Sequence, residues 1–190
     1  MKIAFTGAWS TGKTTMLDAM IDHYGKNPGF GYISEVVRNV HREGFPLGRD
    51  ATIDSYVKIM NYQLKAERNM ADKSMLISDR SLLDMNGYFR GCRIETGENI
   101  SDHFVEICMR AFQINNNYDL YAFFPIEFPI VPDDEGIRPL DEAYRQRVSD
   151  GILSILKEFK LNHIIVSGSR EARRAQLIDA ISQLEKSRGV

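Results

Sequence analysis

The sequence predicts an α/β protein built on a buried parallel sheet. Short apolar runs alternate with longer segments of helical periodicity along the chain, which is typical of βαβ units. A glycine-rich segment follows the first apolar run directly, as it does where a strand turns sharply into a helix. The chain has 190 residues. A chain of this length can bury about 70% of the surface that its unfolded form exposes, so it needs no disulfide or metal to fold.

Five apolar runs are the strand candidates, because each is bounded by turn-forming or charged residues. They cover residues 3–6, 32–34, 75–78, 120–124 and 163–166. Segments of helical periodicity lie between and after them. The predicted helices cover residues 13–24, 53–73, 82–90, 101–115, 140–159 and 170–186.

The long helix over residues 53–73 carries an apolar stripe. The stripe residues that follow helical spacing are Tyr56, Ile59, Met60, Gln63 and Leu64. Such a stripe is typical of a helix packed on a core, which favours packing over cofactor contact. The same stripe is also the candidate surface for a homodimer.

The segment before the helix over residues 140–159 is rich in proline. It reads FFPIEFPIVPDDEGIRP over residues 123–139, and its prolines forbid a continuing helix or a central strand. We interpret it as a functional loop, with a plain surface connection as the alternative. We therefore expect a single domain over residues 1–190 with a lid segment at about 125–147.

The overall charge argues against a broad nucleic-acid-binding surface. The chain has 24 Lys and Arg residues against 26 Asp and Glu, for a net charge of −2, which supplies no extended basic field for duplex DNA. Cys92 and Cys108 stand far apart and predict reduced thiols instead of a disulfide or zinc site. Since no apolar stretch reaches the ~18 residues of a membrane span, we expect a soluble, cytoplasmic protein without a membrane partner.

Residues Gly7 to Thr14 read GAWSTGKT and match the phosphate-binding pattern GxxxxGKT. The two glycines let the backbone turn sharply, so that its N–H groups and the following helix N-terminus face an anion. Lys13 would reach the β- and γ-phosphates of a nucleoside triphosphate, and the Thr14 hydroxyl would bind Mg²⁺. Trp9 would either pack under the loop or contact ligand. The predicted nucleotide-binding residues of the loop are Gly7, Trp9, Ser10, Thr11, Gly12, Lys13, Thr14 and Thr15.

An acidic residue ends the third predicted strand, in the stretch SMLISDRSLLD. Asp79 is the candidate for the second protein contact of the metal, because that contact belongs at a strand end beside the phosphate-binding loop. Arg80 is a candidate to stabilise the transferred phosphoryl group and to contact substrate, and Ser81 is a candidate start for the next helix. The alternative is a strand-end cap with a surface ion pair.

The second predicted strand leads into the stretch YISEVVRNV. Glu35 would emerge at the carboxyl edge of the sheet, where open α/β folds bind ligands. Its carboxylate is a candidate to accept the proton of an attacking hydroxyl, and Arg38 is a candidate to hold an acceptor anion or to orient Glu35. A solvated Glu–Arg pair at a helix start is the alternative.

Arginines cluster at the end of the proline-rich segment, in the stretch GIRPLDEAYRQR. Phosphoryl transfer spreads negative charge over the equatorial oxygens, and arginines that close over the phosphates would stabilise this charge. Arg145 and Arg147 cannot point the same way on one helix, so Arg138 and Arg145 are the favoured candidates. An ordinary amphipathic surface is the alternative.

In the combination of these motifs, the chain resembles the P-loop kinases of nucleosides and nucleotides. It is similar to deoxynucleoside kinases, whose third strand ends Glu-Arg-Ser, and to thymidylate kinases, which have Asp-Arg there. It is also similar to the nicotinamide riboside kinase-like group, in which Glu-x-x-Arg follows the second strand. The resemblance spans nearly the whole chain in element order, although only the glycine loop is specific by itself.

The resemblance implies a three-layer fold with a five-stranded parallel sheet in the order 2-3-1-4-5, helices on both faces and a mobile lid. It also implies Mg-ATP as the donor, with adenine held between lid arginines and the turn Gly168-Ser169-Arg170. The chain departs from the deoxynucleoside kinase pattern at two places, and these differences bear on the identity of the acceptor more than on the type of reaction. Asp79 stands where deoxynucleoside kinases have Glu, and Glu35-Val36 stands where they commonly have Glu-Pro.

The favoured hypothesis is an ATP-dependent phosphotransferase that moves the γ-phosphoryl of Mg-ATP to a nucleoside monophosphate or a nucleoside. Glu35 or Asp79 would position or deprotonate the acceptor. The candidate substrate contacts are Glu35, Arg38, Arg80 and Arg90. A group of arginines in the part of the chain expected to bind the acceptor favours a phosphorylated acceptor. They are Arg38, Arg42, Arg49, Arg90 and Arg93.

Two alternative functions would use the same loop. A GTPase-like binding module would need an Asn-Lys-x-Asp guanine motif, which the sequence lacks. A polynucleotide 5′-kinase or an ATPase acting on nucleic acid would grip a strand end by stacking and local cations. Tyr88, Phe89, Arg90 and Arg93 are the residues that support this second alternative.

Overall fold

The computed structural model describes residues 1–34, 36–92, 101–132, 136 and 138–189, with only the backbone of Arg49 and Cys92. The strands are β1 Lys2–Thr6, β2 Phe30–Ile33, β3 Met75–Asp79, β4 Leu120–Phe123 and β5 His163–Ile165. The helices are α1 Lys13–Tyr24, α2 Val36–Arg42, α3 Ile53–Asn69, α4 Leu82–Cys92, α5 Asp102–Asn115, α6 Glu142–Glu158 and α7 Arg170–Arg188. A short 3₁₀ helix at Gly48–Asp50 lies between α2 and α3.

The strands form a parallel sheet in the order β2-β3-β1-β4-β5, which confirms the predicted order. The central strand β1 pairs with β3 on one side and with β4 on the other. The register sets Phe5 opposite Asp79 and Thr6 opposite Phe123, so these three strands end together. The loop that follows β1 therefore opens at the carboxyl edge, where open α/β sheets bind ligands.

Alternate residues of β1 face opposite layers of helices. Ile3 and Phe5 belong to the apolar core that is shared with α1 and α7. Ala4 belongs to a second core, which α3, α4, α5 and α6 build on the other face. Helices thus cover both faces of the sheet, as parallel strands require. Among the described helices, none is both long and apolar enough to cross a membrane.

The boundaries of several elements differ from the sequence-based expectation for local reasons. The sequence does not predict α2 because a helix of seven residues is too short to show periodicity. β2 begins at Phe30 instead of residue 32, since Phe30 already pairs with Met75. α6 begins at Glu142 instead of residue 140, because the Asp141 side chain caps it by accepting the Tyr144 N–H at 2.8 Å.

Helices α4 and α6 pack with their backbones almost in contact. A Cβ at Gly87 would lie 2.2 Å from Ile152 Cγ1, and a Cβ at Gly151 would lie 2.7 Å from the carbonyl oxygen of Gly87. Gly91 is equally crowded, since its Cβ would lie 2.8 Å from the Val148 nitrogen. Only glycine permits this approach, which fixes α4 against α6 behind the loop that follows β1.

Replacing Gly151 with alanine tests this close packing. Helix propensity alone would stabilise the variant by about 0.5–1 kcal/mol, whereas the added Cβ would meet Gly87 O at 2.7 Å and push α4 away from α6. We expect the steric effect to dominate and to lower the free energy of unfolding by about 1–3 kcal/mol in urea denaturation. The control is Asp150→Ala at the neighbouring exposed position, which should change this free energy by at most about 0.5 kcal/mol. A more stable Gly151→Ala protein would contradict the described packing.

Candidate functional site

A cavity of about 570 Å³ opens at the carboxyl edge of the sheet. Its walls come from the loop after β1, the end of β3 with α4, the segment from α2 to α3, the proline-rich segment and the start of α7. The volume lies within the usual range of small-molecule sites, about 300–1,000 Å³. The predicted site residues that line it are Trp9, Ser10, Thr11, Gly12, Lys13, Thr14, Thr15, Arg38, Asp79, Arg80, Arg138 and Arg170.

The conformation of the loop explains both of its glycines. Gly7 and Gly12 have φ angles of 140° and 87°, which are accessible to glycine but strained for other residues. A Cβ at Gly7 would lie 2.5 Å from Phe124 O, and a Cβ at Gly12 would lie 3.1 Å from Arg173 Nη1. Gly12 caps α1 without a side-chain hydrogen bond. The N–H groups of the first turn are therefore left to bind an anion.

Lys13 folds back onto the loop in which it lies. Its Nζ donates to Gly7 O at 2.9 Å, to Ala8 O at 2.6 Å and to Thr11 Oγ1 at 3.2 Å. Burial, reinforced by the guanidinium of Arg80, lowers the pKa of Lys13 to about 7. The free amine and the ammonium are therefore both populated near neutral pH. Phosphate oxygens beside Nζ would restore the charged form.

Asp79 and Thr14 bring two oxygen ligands together at the edge of the sheet. The Thr14 hydroxyl donates to Asp79 Oδ2 at 2.9 Å. The other carboxylate oxygen, Asp79 Oδ1, is buried and has no hydrogen-bond partner within the described residues. An orphaned buried carboxylate oxygen beside a hydroxyl suits Mg²⁺, which prefers oxygen ligands and keeps several of its own waters. These two residues therefore fit the predicted metal site.

Arg80 adopts a left-handed backbone conformation at the end of β3, with φ at 86°. Such strain in a residue that is not glycine is typical of functional sites. Its Nη1 lies 3.4 Å from Gly7 O and 3.5 Å from Asp84 Oδ1, and its guanidinium lies 5.5 Å from the centre of the Tyr88 ring. The conformation thus directs the side chain into the cavity beside the loop.

Asp84 is a buried acid that the sequence analysis did not single out. Its Oδ1 accepts the Gly7 N–H at 3.2 Å, and its Oδ2 accepts the Ser81 N–H at 3.0 Å. The Ser81 hydroxyl in turn accepts the Leu83 N–H at 3.2 Å. Burial raises the pKa of Asp84, although Arg80 opposes this shift. The available sequence signal was the spacing Ser81-x-x-Asp84 at the start of α4, which resembles a capping box.

Trp9 packs beneath the loop, and it also lines the cavity. Packing under the loop and contact with a ligand are therefore compatible. Its side chain is buried, and its Nε1 donates to Pro139 O at 3.0 Å. The ring lies 5.2 Å from the Tyr144 ring and 6.1 Å from the Tyr88 ring, measured between centroids. Trp9 therefore links the loop to the proline-rich segment and to α6.

Arg145 supports the loop from behind instead of facing the cavity. Its buried guanidinium donates to Trp9 O at 3.0 Å, to Ser10 O at 3.2 Å and to Phe128 O at 2.8 Å. Glu142 accepts two further hydrogen bonds from Nη1. Because these donors are bound within the protein, Arg145 holds the loop in place. This geometry differs from the predicted role, in which Arg145 closes over the phosphates.

The wall that α3 and α4 contribute to the cavity is largely apolar and aromatic. Arg38 lines it together with residues of α3 and α4, including Tyr56, Gln63 and Tyr88. The Gln63 amide is buried and donates to Glu67 Oε1 at 2.9 Å. A planar base or ring fits such a wall, which combines apolar surface with a few polar groups.

Other residues that were predicted to contact the acceptor or a nucleic acid do not line this wall or fall outside the described residues. Arg90 donates to Ser154 Oγ at 2.9 Å and pairs with Glu158 at 2.7 Å, so it joins α4 to α6 and does not line the cavity. Phe89 is buried against Tyr56, with ring centroids 4.2 Å apart, and is not exposed for stacking on a nucleic acid. The predictions for Glu35, Arg93 and the Arg49 side chain fall outside the described residues.

The remaining wall is formed by the proline-rich segment and the turn after β5. Arg138 lines the cavity, and its Nη1 donates to Val131 O at 3.1 Å. Gly168 has a φ angle of 93° and donates its N–H to Glu127 Oε2 at 2.9 Å, while Arg170 lines the cavity two residues later. The turn predicted to hold adenine therefore lies at one end of the same cavity as the loop.

The fold is similar to solved nucleoside and nucleotide kinases. Deoxyadenosine kinase from M. mycoides with bound dATP aligns with a TM-score of 0.69 over 96% of this chain and 99% of that chain, at 11% identity. Thymidylate kinase from Ehrlichia chaffeensis aligns with a TM-score of 0.63 over 95% and 98%, at 16% identity. At these identities, the likeness shows a shared fold.

NadR in complex with NR is a further similar structure. It aligns with a TM-score of 0.69 at 16% identity, over 96% of this chain and 50% of NadR, so the chain spans half the length of that protein. By sequence, no curated protein matches significantly. A family model described as an AAA domain, AAA_28, matches residues 2–173. Since this match covers most of the chain, the protein belongs to this AAA domain family and has a P-loop nucleotide kinase-like fold.

Proposed function

We propose that the chain is a phosphotransferase that moves the γ-phosphoryl group of Mg-ATP to a nucleoside or a nucleoside monophosphate. The observation that carries this proposal is the two-sided cavity. One part of its lining is the phosphate-binding loop with Thr14 and Asp79, and another part is an apolar and aromatic wall that includes Tyr56 and Tyr88. If the base of the donor lies at the turn after β5, the wall around Tyr56 and Tyr88 is left for an acceptor.

The loop and its neighbours would hold the donor. Backbone N–H groups at the start of α1 and the Lys13 ammonium would bind the β- and γ-phosphates. Thr14 and Asp79 would hold Mg²⁺, which supplies charge neutralisation between the phosphates when it is bound. Arg170, which lines the cavity two residues after Gly168, would face the base of ATP.

The wall that α3 and α4 contribute to the cavity would hold the acceptor, with its hydroxyl directed toward the γ-phosphate. Glu35 is the proposed base that accepts the hydroxyl proton, and Asp79 is the alternative if Glu35 does not act. Arg38 would bind an acceptor anion or orient Glu35. Arg80 and Arg138 both line the cavity and would stabilise the negative charge that spreads over the transferred group.

The proline-rich segment would keep water out during transfer. Val131 N–H donates to the Ser10 hydroxyl at 3.2 Å, and Trp9 binds Pro139 O at 3.0 Å, so this segment contacts the loop at two points. A segment held there limits the access of water to the γ-phosphate, which favours transfer over hydrolysis. We retain residues 125–147 as the proposed lid.

A transfer screen with radiolabelled ATP tests the proposed function and identifies the acceptor. The screen compares nucleosides, nucleoside monophosphates, nicotinamide riboside and 5′-hydroxyl oligonucleotides in the presence of Mg²⁺. We expect label on a nucleoside or a nucleoside monophosphate. Label on oligonucleotides alone would instead support a polynucleotide kinase, and ATP hydrolysis without any acceptor product would contradict a phosphotransferase.

Lys13→Ala should abolish transfer in this screen, because the loop loses the charged group that would bind the β- and γ-phosphates. Lys26→Ala is the matched control, since Lys26 is exposed just beyond the end of α1. Initial rates at saturating Mg-ATP give the comparison. Substantial transfer by the Lys13 variant would refute the assigned phosphate site.

Glu35→Gln separates acceptor chemistry from donor binding. If Glu35 accepts the hydroxyl proton, transfer should fall by about 100-fold or more while ATP affinity stays near normal. ATP affinity can be followed through the fluorescence of Trp9, the single tryptophan of the chain. Unchanged transfer would move the role of base to Asp79 or to no side chain.

The pKa of Lys13 predicts that nucleotide binding takes up a proton. In the free protein this pKa is about 7, and phosphate charge beside Nζ would raise it. Above about pH 7 the free protein therefore holds neutral Lys13 and the complex holds the ammonium, so ATP affinity should fall as the pH rises, by at most about tenfold per unit.

Isothermal titration at pH 7.5–9.5, in two buffers of different ionisation enthalpy, would measure this uptake. Lys13→Arg is the control, because an arginine stays charged over this range and should remove the pH dependence. Equal proton uptake by the wild-type and Lys13→Arg proteins would show that another group titrates.

A further inference from the structure

Arg173 is a buried guanidinium at the start of α7. Its side chain is 2% exposed, whereas the neighbouring Arg174 is exposed. Burying a charge is costly unless it is paired and fully hydrogen-bonded. Arg173 lies on the face of α7 that is buried, together with Leu177 and Ile181, so its guanidinium must find its partners inside the protein.

Each of the three nitrogens of the Arg173 guanidinium has a partner within the protein. Nη1 donates to Thr11 O at 2.6 Å, Nε donates to Gly168 O at 3.0 Å, and Nη2 pairs with the Glu127 carboxylate. The flat face lies 4.7 Å from the centre of the Phe128 ring. One side chain therefore ties together the phosphate-binding loop, the turn after β5 and the segment after β4.

The bond to Thr11 O sets the direction of the next amide. In a planar trans peptide, the C=O and N–H groups point in opposite directions. With Thr11 O held toward α7, the N–H of Gly12 must point away from α7. Gly12 is the N-cap residue directly before α1, so this amide borders the N-terminal N–H groups that would bind an anion.

We propose that Arg173 is a positioning residue for the donor phosphates. The side chain borders the cavity, but the described N–H donors of its guanidinium are bound to Thr11 O, Gly168 O and Glu127. Arg173 would therefore act through the Thr11–Gly12 peptide. The inference rests on the proposed function only in requiring that the loop binds the phosphates of a nucleoside triphosphate. Glu127, which pairs with Arg173 and accepts the Gly168 N–H, orients the guanidinium.

The test measures phosphate binding apart from base binding. Arg173→Met and Arg173→Lys are compared with the wild type and with Arg174→Met, the matched control at the adjacent exposed position. Two probes are titrated with Mg²⁺ present, namely ATP and inorganic tripolyphosphate, which has no base. The fluorescence of Trp9 within the loop reports binding of both.

In Arg173→Met we expect the Kd values for ATP and tripolyphosphate to rise together, by about tenfold or more, because a charged hydrogen bond that orients the loop is lost. Arg173→Lys keeps the charge but cannot bind Thr11 O and Gly168 O together, so its Kd values should lie in between. In transfer assays the KM for ATP should rise while the KM for the acceptor stays unchanged. Arg174→Met should match the wild type.

Weaker ATP binding with unchanged tripolyphosphate binding would overturn the inference, because it would mean that Arg173 contacts the base directly. Unchanged binding of both probes would also overturn it. If Arg173→Met loses its cooperative thermal transition, Arg173→Lys and Glu127→Gln decide by the same criterion. A wild-type protein that binds tripolyphosphate but transfers no phosphoryl group would refute the kinase proposal and leave the role of Arg173 standing.

Discussion

The orientation of the peptide groups in one loop is the constraint on which the rest of this structure depends. The carbonyl oxygens of residues 7–11 are all held by cations: Lys13 binds the first two, Arg145 the next two and Arg173 the last. Each bound carbonyl turns the following N–H to the opposite side of the backbone. The proposed phosphate site of backbone amides is thus formed in the free protein, and this preorganisation would lower the cost of binding.

The supports of the loop come from helices that are distant in sequence. Arg145 belongs to α6, Arg173 belongs to α7, and Asp84 of α4 holds the Gly7 N–H. The glycine contacts between α4 and α6 keep Asp84 and Arg145 in a fixed relation. The packing of α4 against α6 therefore also sets the geometry of the loop. A change in the distance between these two helices would move Asp84 and Arg145, and with them the loop.

Sequence reasoning succeeded where the chemistry is local. Gly7 and Gly12 follow from the spacing GxxxxGKT and adopt positive φ angles, and Asp79 at the end of the third strand meets Thr14. The order of the strands follows from the family resemblance, while the binding roles of these residues stay predictions. It failed where burial decides the role of a charge. Arg170, Arg173 and Arg174 look alike in the stretch REARRAQL, yet only Arg173 is buried. Arg90 and Arg145 were likewise predicted to face the ligands, but packing turns both toward protein partners. Gly87 and Gly91, four residues apart on α4, were the available signal for its close contact with α6.

The short helix α2 and the 3₁₀ helix at Gly48–Asp50 form a wall of the cavity that supplies none of the described bonds to the loop carbonyls. Val36, Leu47 and Ala51 line the cavity from this region, while the cations that hold carbonyls 7–11 belong to α1, α6 and α7. Substitutions in this wall can reshape the space available to a second ligand without altering any of those bonds. If the proposed function holds, evolution or a designer could vary which acceptor is recognised there while the bonds that hold the loop carbonyls stay unchanged.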